Sequence, residues 1–322
     1  MHDRELRALI GDEPVPGVSE KFYVCKAGAN PYEYWTGKVA SARLAPTIAD
    51  GYARLNGGQN EVLFLSPDSH ALTETLTWAY NHTHFVGMSP AGMMNHRSRF
   101  SASGSALVSL MEVTGYGNYF ANLHSMWEYN DSDCVNGVKI TGNRNTFDHV
   151  HFAGPNSTGI DTALSAACNI YGAEECHFKH CTFGSDSIQR QADLLSLKLD
   201  GAGGTDVAMR HIFEDCLFLA SSDAGLDAHF IHATTATHGW ALFKRCTFIN
   251  IAAGGFGDNT MSLALSSANG ADFRMVFDTG CSFHGVTDII AHGEETKVEF
   301  GVAGDPAAAV GIGLFINPDT TA

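Results

Sequence analysis

The chain has 322 residues, 35 acidic against 19 basic, for a formal charge of −16. That excess argues against a nucleic-acid or anionic-membrane surface, since both require a basic face, and no window approaches the eighteen apolar residues of a membrane span. An apolar fraction of 44% is ample for a core in one large domain or two ordinary ones.

The opening "MHDRELRALIGDEPVPG" has no uninterrupted apolar stretch, so no secretory signal is expected and synthesis in a cytoplasm is. Pro14, Pro16 and Gly17 in a polar setting predict an arm, and residues 1–40 are assigned to an N-terminal arm or anchor. Residues 40–66 then read as a helix, a glycine turn and a strand. Pro46, Ile48, Ala49, Tyr52, Ala53 and Leu55 give the helix an apolar face, "NGG" ends it, and "EVLFLSPDS" is the expected first strand. "THFVGMSPAG" follows as the next rung.

From there one phrase recurs: Phe, two polar residues, an apolar residue or Cys, one variable residue, Phe. It is "FDHVHFA" at Phe147, "FKHCTFG" at Phe178, "FEDCLFL" at Phe213, "FKRCTFI" at Phe243 and, with one added glycine, "FDTGCSF" at Phe277. An imperfect copy, "FANLHSM", starts at Phe120, so the intervals are 27, 31, 35, 30 and 34 residues. In the regular copies the fourth and sixth positions share one strand face, while the first Phe has the wrong parity unless the chain bends at the polar pair. Intervals that vary around a fixed phrase are those of a solenoid whose loops differ in length. The segments between copies read as further short strands.

The expected architecture is all-β, a right-handed parallel β-helix of about three strands per turn, with the N-terminal arm and a capping helix. It should occupy residues 41–295, with 296–322 ("KVEFG", "IGLFINPD") as a terminal strand pair. Phe147, Phe178, Phe213, Phe243 and Phe277 would form one ladder, and Phe152, Phe183, Phe218, Phe248 and Phe283 a second. Cys181, Cys216, Cys246 and Cys281 would stack between them, too deep to react. No CxxC pair occurs among the eight cysteines, which removes zinc-ribbon and thioredoxin readings.

The helix leading into "VLFLS" and the rungs "NTFDHVHFAG" (145–154) and "LFKRCTFIN" (242–250) resemble the pectin-lyase-like β-helix superfold over roughly residues 40–295. Within it the chain is most similar to virion proteins of tailed bacteriophages. The resemblance implies a capsid decoration (cement) protein or a spike, acting as a homotrimer, with the major capsid protein or other virion subunits as partners and the virion as its location. Tyr32, Tyr34 and Trp35, in "NPYEYW", would anchor it against capsid or neighbouring subunits.

Catalytic signatures of the superfold are missing from the sequence: there is no "NTD" and no "DD", and "HGW" (238–240) and "HGE" (292–294) lack a basic partner. Asp186, Asp193, Asp223, Asp227 and Asp258 are the best remaining carboxylates. Paired acids can divide acid and base roles, but loop aspartates are more often turn formers. Sixteen histidines invite a metal reading. "HTH" (His82, His84) and "HVH" (His149, His151) place two imidazoles on one face if the strand runs straight. Yet His149 falls at a polar corner, and His151 lies between two inward positions and points out. No catalytic, cofactor or metal residue is assigned. Of the tryptophans, Trp35, Trp78, Trp127 and Trp240 read as packing residues before glycan platforms. The expectation is a non-enzymatic virion protein; the alternative is a tailspike or fibre that binds or cleaves host polysaccharide, as a lyase or glycoside hydrolase. A non-viral protein of the same superfold is a third reading.

Overall fold

The computed structural model describes residues 20–28, 36, 38–94, 98–102, 107–127, 135–155, 165–187, 194–222, 228–251, 261–268, 273–290 and 298–300. Its strands fall into three long sheets of 11, 8 and 7 strands, with a further pair, and every strand pairing is parallel. Between Glu61 and Phe277 each turn of chain contributes one strand to each long sheet in the order first, second, third. Thr146–Asp148, His151–Pro155 and Ala166–Tyr171 make one such coil, and His177–Lys179, Thr182–Gly184 and Leu195–Asp200 make the next.

The expected ladders form in register. Phe120, Phe147, Phe178, Phe213, Phe243 and Phe277 stack with ring centroids 4.7–4.9 Å apart, which is the strand spacing itself. Phe152, Phe183, Phe218, Phe248 and Phe283 make the second ladder at 4.4–5.0 Å. Rings of the two ladders meet edge to face, as between Phe178 and Phe183 at 5.6 Å, the arrangement the aromatic quadrupole favours. Val138, Cys168, Leu197, Ile231 and Leu265 of the third sheet close the core, all buried. Phe300, on Val298–Phe300, extends the first ladder past Phe277.

Two features of the N-terminal end differ from the sequence reading. Lys21–Val24, inside the span assigned to the arm, is a strand that pairs with Glu61–Leu65, so "EVLFL" is not the first strand of the stack. The helix (α1) is only Ile48–Tyr52. Thr47 caps it, its hydroxyl accepting from the Asp50 N–H at 3.1 Å. A Cβ on Gly51 would lie 2.6 Å from Val24 and 2.8 Å from Leu63, so the helix can approach this closely only with glycine there. Ile48 and Leu55 fill the end of the core.

Candidate functional site

Two corners bracket the first sheet. At the downstream corner, between first and second sheets, Asn122, His149, His180, Asp215 and Arg245 occupy one position and all have φ of 49–54°. This left-handed conformation carries a steric cost for residues other than glycine. Coil-to-coil bonding offsets it: the N–H of Asn122, His149, His180 and Asp215 donates to Asp148, Lys179, Glu214 and Lys244 carbonyls at 2.9–3.1 Å. In the last copy the extra Gly280 shifts the backbone, and the Asp278 carboxylate accepts from the Arg245 N–H instead, at 2.8 Å. The polar pair of the repeated phrase is thus the bend that its parity required.

The inward residue after this bend is Leu123, Val150, Cys181, Cys216, Cys246 or Cys281. Each cysteine thiol points back at the carbonyl of the preceding coil's phenylalanine: Cys181 to Phe147, Cys216 to Phe178, Cys246 to Phe213 and Cys281 to Phe243, at 3.4–3.5 Å. Burial pushes the Cys216 and Cys246 thiols well above their usual range, so both stay protonated and unreactive.

Outward, the same corner collects charge. Asp148 Oδ1 lies 2.7 Å from His149 Nδ1 and 3.2 Å from His180 Nδ1, and the two imidazoles stack at 4.5 Å. Tyr119 donates its hydroxyl to Asp148 Oδ2 at 3.1 Å. Partial burial raises the Asp148 carboxyl, but hydrogen bonds from His180 and His149 outweigh it and hold the group below the carboxylate range. One coil on, Arg245 grips Asp215 through two nitrogens at 2.7 Å and Glu214 at 2.9 Å.

The upstream corner, between third and first sheets, repeats the turn: His82, Gly117, Arg144, Glu175 and Arg210 have φ of 51–67°. Glu175 bridges Arg144 at 2.6 Å and Arg210 at 3.0 Å, and Arg210 also holds Glu174. The two arginines keep the Glu175 carboxyl below its ordinary range. Inward of this corner runs a polar ladder. Thr83 N–H donates to Asn118 Oδ1, Asn118 N–H to Asn145 Oδ1, each at 2.9 Å, and Cys176 N–H to His211 Nδ1 at 3.3 Å.

The structure separates both histidine pairs singled out in the sequence. His82 and His149 sit in the left-handed corners, so neither shares a strand face with His84 or His151. His151 does point away from Phe152, but it is buried and stacks on His124 at 4.6 Å instead of facing solvent. The pair that does meet is His149 with His180, one coil apart. The 31-residue interval between copies carried that signal. Tyr32, Tyr34, Trp35, Asp193, Asp223, Asp227 and Asp258 lie outside the described residues. Asp186 is half-buried, and it follows the second-sheet strand Thr182–Gly184. Trp78 is fully buried against Phe85 at 5.2 Å, whereas Trp240 is exposed. No helix among the described residues is long and apolar enough to cross a membrane.

No family profile matches the sequence, and no curated protein matches it. Solved structures do. A pectin methylesterase in complex with a hexasaccharide superposes with a TM-score of 0.57 at 15% identity, covering 88% of each chain. Pectate lyase Pel9A gives 0.54 at 13%, over 88% of this chain and 78% of its own. Pectin methylesterase PemA from Erwinia chrysanthemi gives 0.54 at 16%, over 84% and 81%. What these structures share with the chain is the course of its backbone: the fold is the pectin-lyase-like right-handed parallel β-helix.

Proposed function

We propose that the chain is a non-enzymatic structural protein of a bacteriophage virion, a decoration or cement subunit that acts as a homotrimer on the capsid. The observation that carries this reading is the use made of outward charge. Glu174, Glu175, Glu214 and Asp215 are all engaged by arginines of adjacent coils. At those corners the carboxylates tie coil to coil, and the arginines hold Glu175, Glu214 and Asp215 below the ordinary carboxylate range, the opposite of the raised pKa a general acid requires. A parallel stack with two continuous aromatic ladders inside is a stiff rod suited to a particle surface. The placement on a phage rests on the resemblance of the repeated rungs.

Quantitative mass spectrometry of purified particles, relative to the major capsid subunit, tests the proposal. A ratio near one, or one to a small integer, is expected. A few copies per particle would favour a tailspike or fibre, in which loss of glycan binding or cleavage on Asp223→Asn or Asp227→Asn becomes the next measurement. Absence from any particle would overturn the virion reading. Anchoring through Tyr32, Tyr34 and Trp35 is tested by replacing all three with alanine, because deleting residues 1–40 would also remove the strand Lys21–Val24. Undiminished capsid binding by the triple variant would refute the anchor.

A further inference from the structure

The geometry points to a divalent transition-metal site formed by Asp148, His149 and His180 at the downstream corner, a site independent of where the protein works. One carboxylate oxygen and the two imidazole nitrogens lie within 4.8 Å of one another. Two of the three separations, 2.7 and 3.2 Å from Oδ1 to the two Nδ1 atoms, already suit neighbouring ligands of one ion held at about 2.0–2.2 Å. Two imidazoles with one carboxylate select borderline ions such as zinc, cobalt or nickel over calcium and magnesium, which prefer oxygen donors throughout.

The backbone presents these ligands without rearrangement, since both histidines are fixed in the left-handed corner by bonds to the next coil. Only the side chains must adjust. The rings stack with a 25° tilt, so they must fan apart about χ2 for both nitrogens to aim at one ion. His180, 43% exposed, has the solvent side open for that rotation, and water can complete the coordination. Outer partners are in place as well. Tyr119 holds Asp148 Oδ2 at 3.1 Å, and Asp215 Oδ2 stands 3.8 Å from His180 Nε2. Such partners orient metal-bound carboxylates and imidazoles.

The test is isothermal titration of the full-length chain with zinc chloride, with the visible spectrum of cobalt(II) as a second readout of ligand type. One ion per chain is expected. His180→Asn and Asp148→Asn should each weaken binding at least tenfold, and Tyr119→Phe by about tenfold, the lower end for an outer partner. Asparagine is chosen because Asn122 already holds this corner two coils upstream, so the metal-free melting temperature of His180→Asn should stay at the wild-type value. His284→Asn, at an exposed position, should change nothing. No zinc binding by the wild type would overturn the site. So would equal affinity and stoichiometry in the wild type and both Asn variants, since other histidines would then hold the ion.

Discussion

At the upstream corner the residues following the left-handed positions are Thr83, Asn118, Asn145, Cys176 and His211, and the side chains of Asn118, Asn145 and His211 each accept a buried N–H from the coil before. At the downstream corner the equivalent residue is Leu123, Val150 or a cysteine, and the acceptor there is at best a sulfur: Cys281 Sγ takes the Cys246 N–H at 3.4 Å, a weak bond. The turns are the same, and the difference lies in what fills the space beneath them. A buried amide N–H needs an acceptor, and upstream Asn118, Asn145 and His211 supply strong ones, so losing one of them should cost more than losing a downstream thiol. Beneath the downstream corner the fill is apolar or sulfur, while both corners vary their outward side chains, from His82 to Arg210 upstream and from Asn122 through His149 and His180 to Arg245 downstream.

Removing one member of the polar ladder should do the most damage. Asn145 accepts from Asn118 and donates to the carbonyls of Gly115 and Gly142 at 2.9 and 2.8 Å. Asn145→Ala leaves those buried groups unpaired and should cost about 3 kcal/mol, read as a lowered urea midpoint at constant m-value. A loss under about 1 kcal/mol would mean that the two corners tolerate change alike.

The next effect is a pH dependence to which the upstream side contributes through His211. Burial holds His211 down at about 3, whereas an unfolded histidine titrates near 6.5. Between those values the unfolded chain carries the extra proton, so stability falls as pH falls through this window, by about 1.4 kcal/mol per unit. His211→Asn, which copies Asn145 two coils above it, should flatten that slope and leave the share of His232, which burial holds down at about 4; an unchanged profile in urea melts at pH 6.5, 5.5 and 4.5 would rule His211 out as a source.

Cys216→Val should matter less. It copies Val150 of the same ladder and forfeits only weak sulfur hydrogen bonds to the Phe178 and Glu214 carbonyls, so a change within about 1 kcal/mol is expected in the same melts. The smallest effect belongs to the exposed ion pairs. Arg245→Gln should barely move the melting temperature, and 0.5 M salt should erase whatever difference remains. A large, salt-resistant loss would show that outward charges at the downstream corner carry real stability.

The repeated phrase made both phenylalanine ladders and the cysteine row legible, because a solenoid converts sequence interval into spatial stacking and the aromatic spacing follows directly. The bend at the polar pair was legible from parity, but its left-handed conformation was not. Reading "HVH" as a straight strand paired His149 with His151, while a single left-handed residue reverses the parity and pairs His149 with His180. The strand Lys21–Val24 was hidden because its burial comes from pairing with Glu61–Leu65, about forty residues on, and nothing local marks it. The helix was read too long since its apolar positions continue to Leu55, yet Gly51 sits tight against Val24 and Leu63, and α1 ends at Tyr52. Asparagines 118 and 145 sit at the same place in successive rungs, a signal present in the sequence that the phenylalanines overshadowed.

The order of strands in the first sheet has a mechanical consequence. Leu44–Ala45 and Lys21–Val24 lie at one end and Val298–Phe300 at the other, with every intervening coil between its sequence neighbours. A pull on the last coil therefore loads one rung at a time, and the rod should unwind as a spool does. Each released coil of about 30 residues frees roughly 100 Å of extended chain. An optical-tweezers trace should rise in steps of that size, their lengths following the uneven intervals of 27 to 35 residues between the phenylalanines.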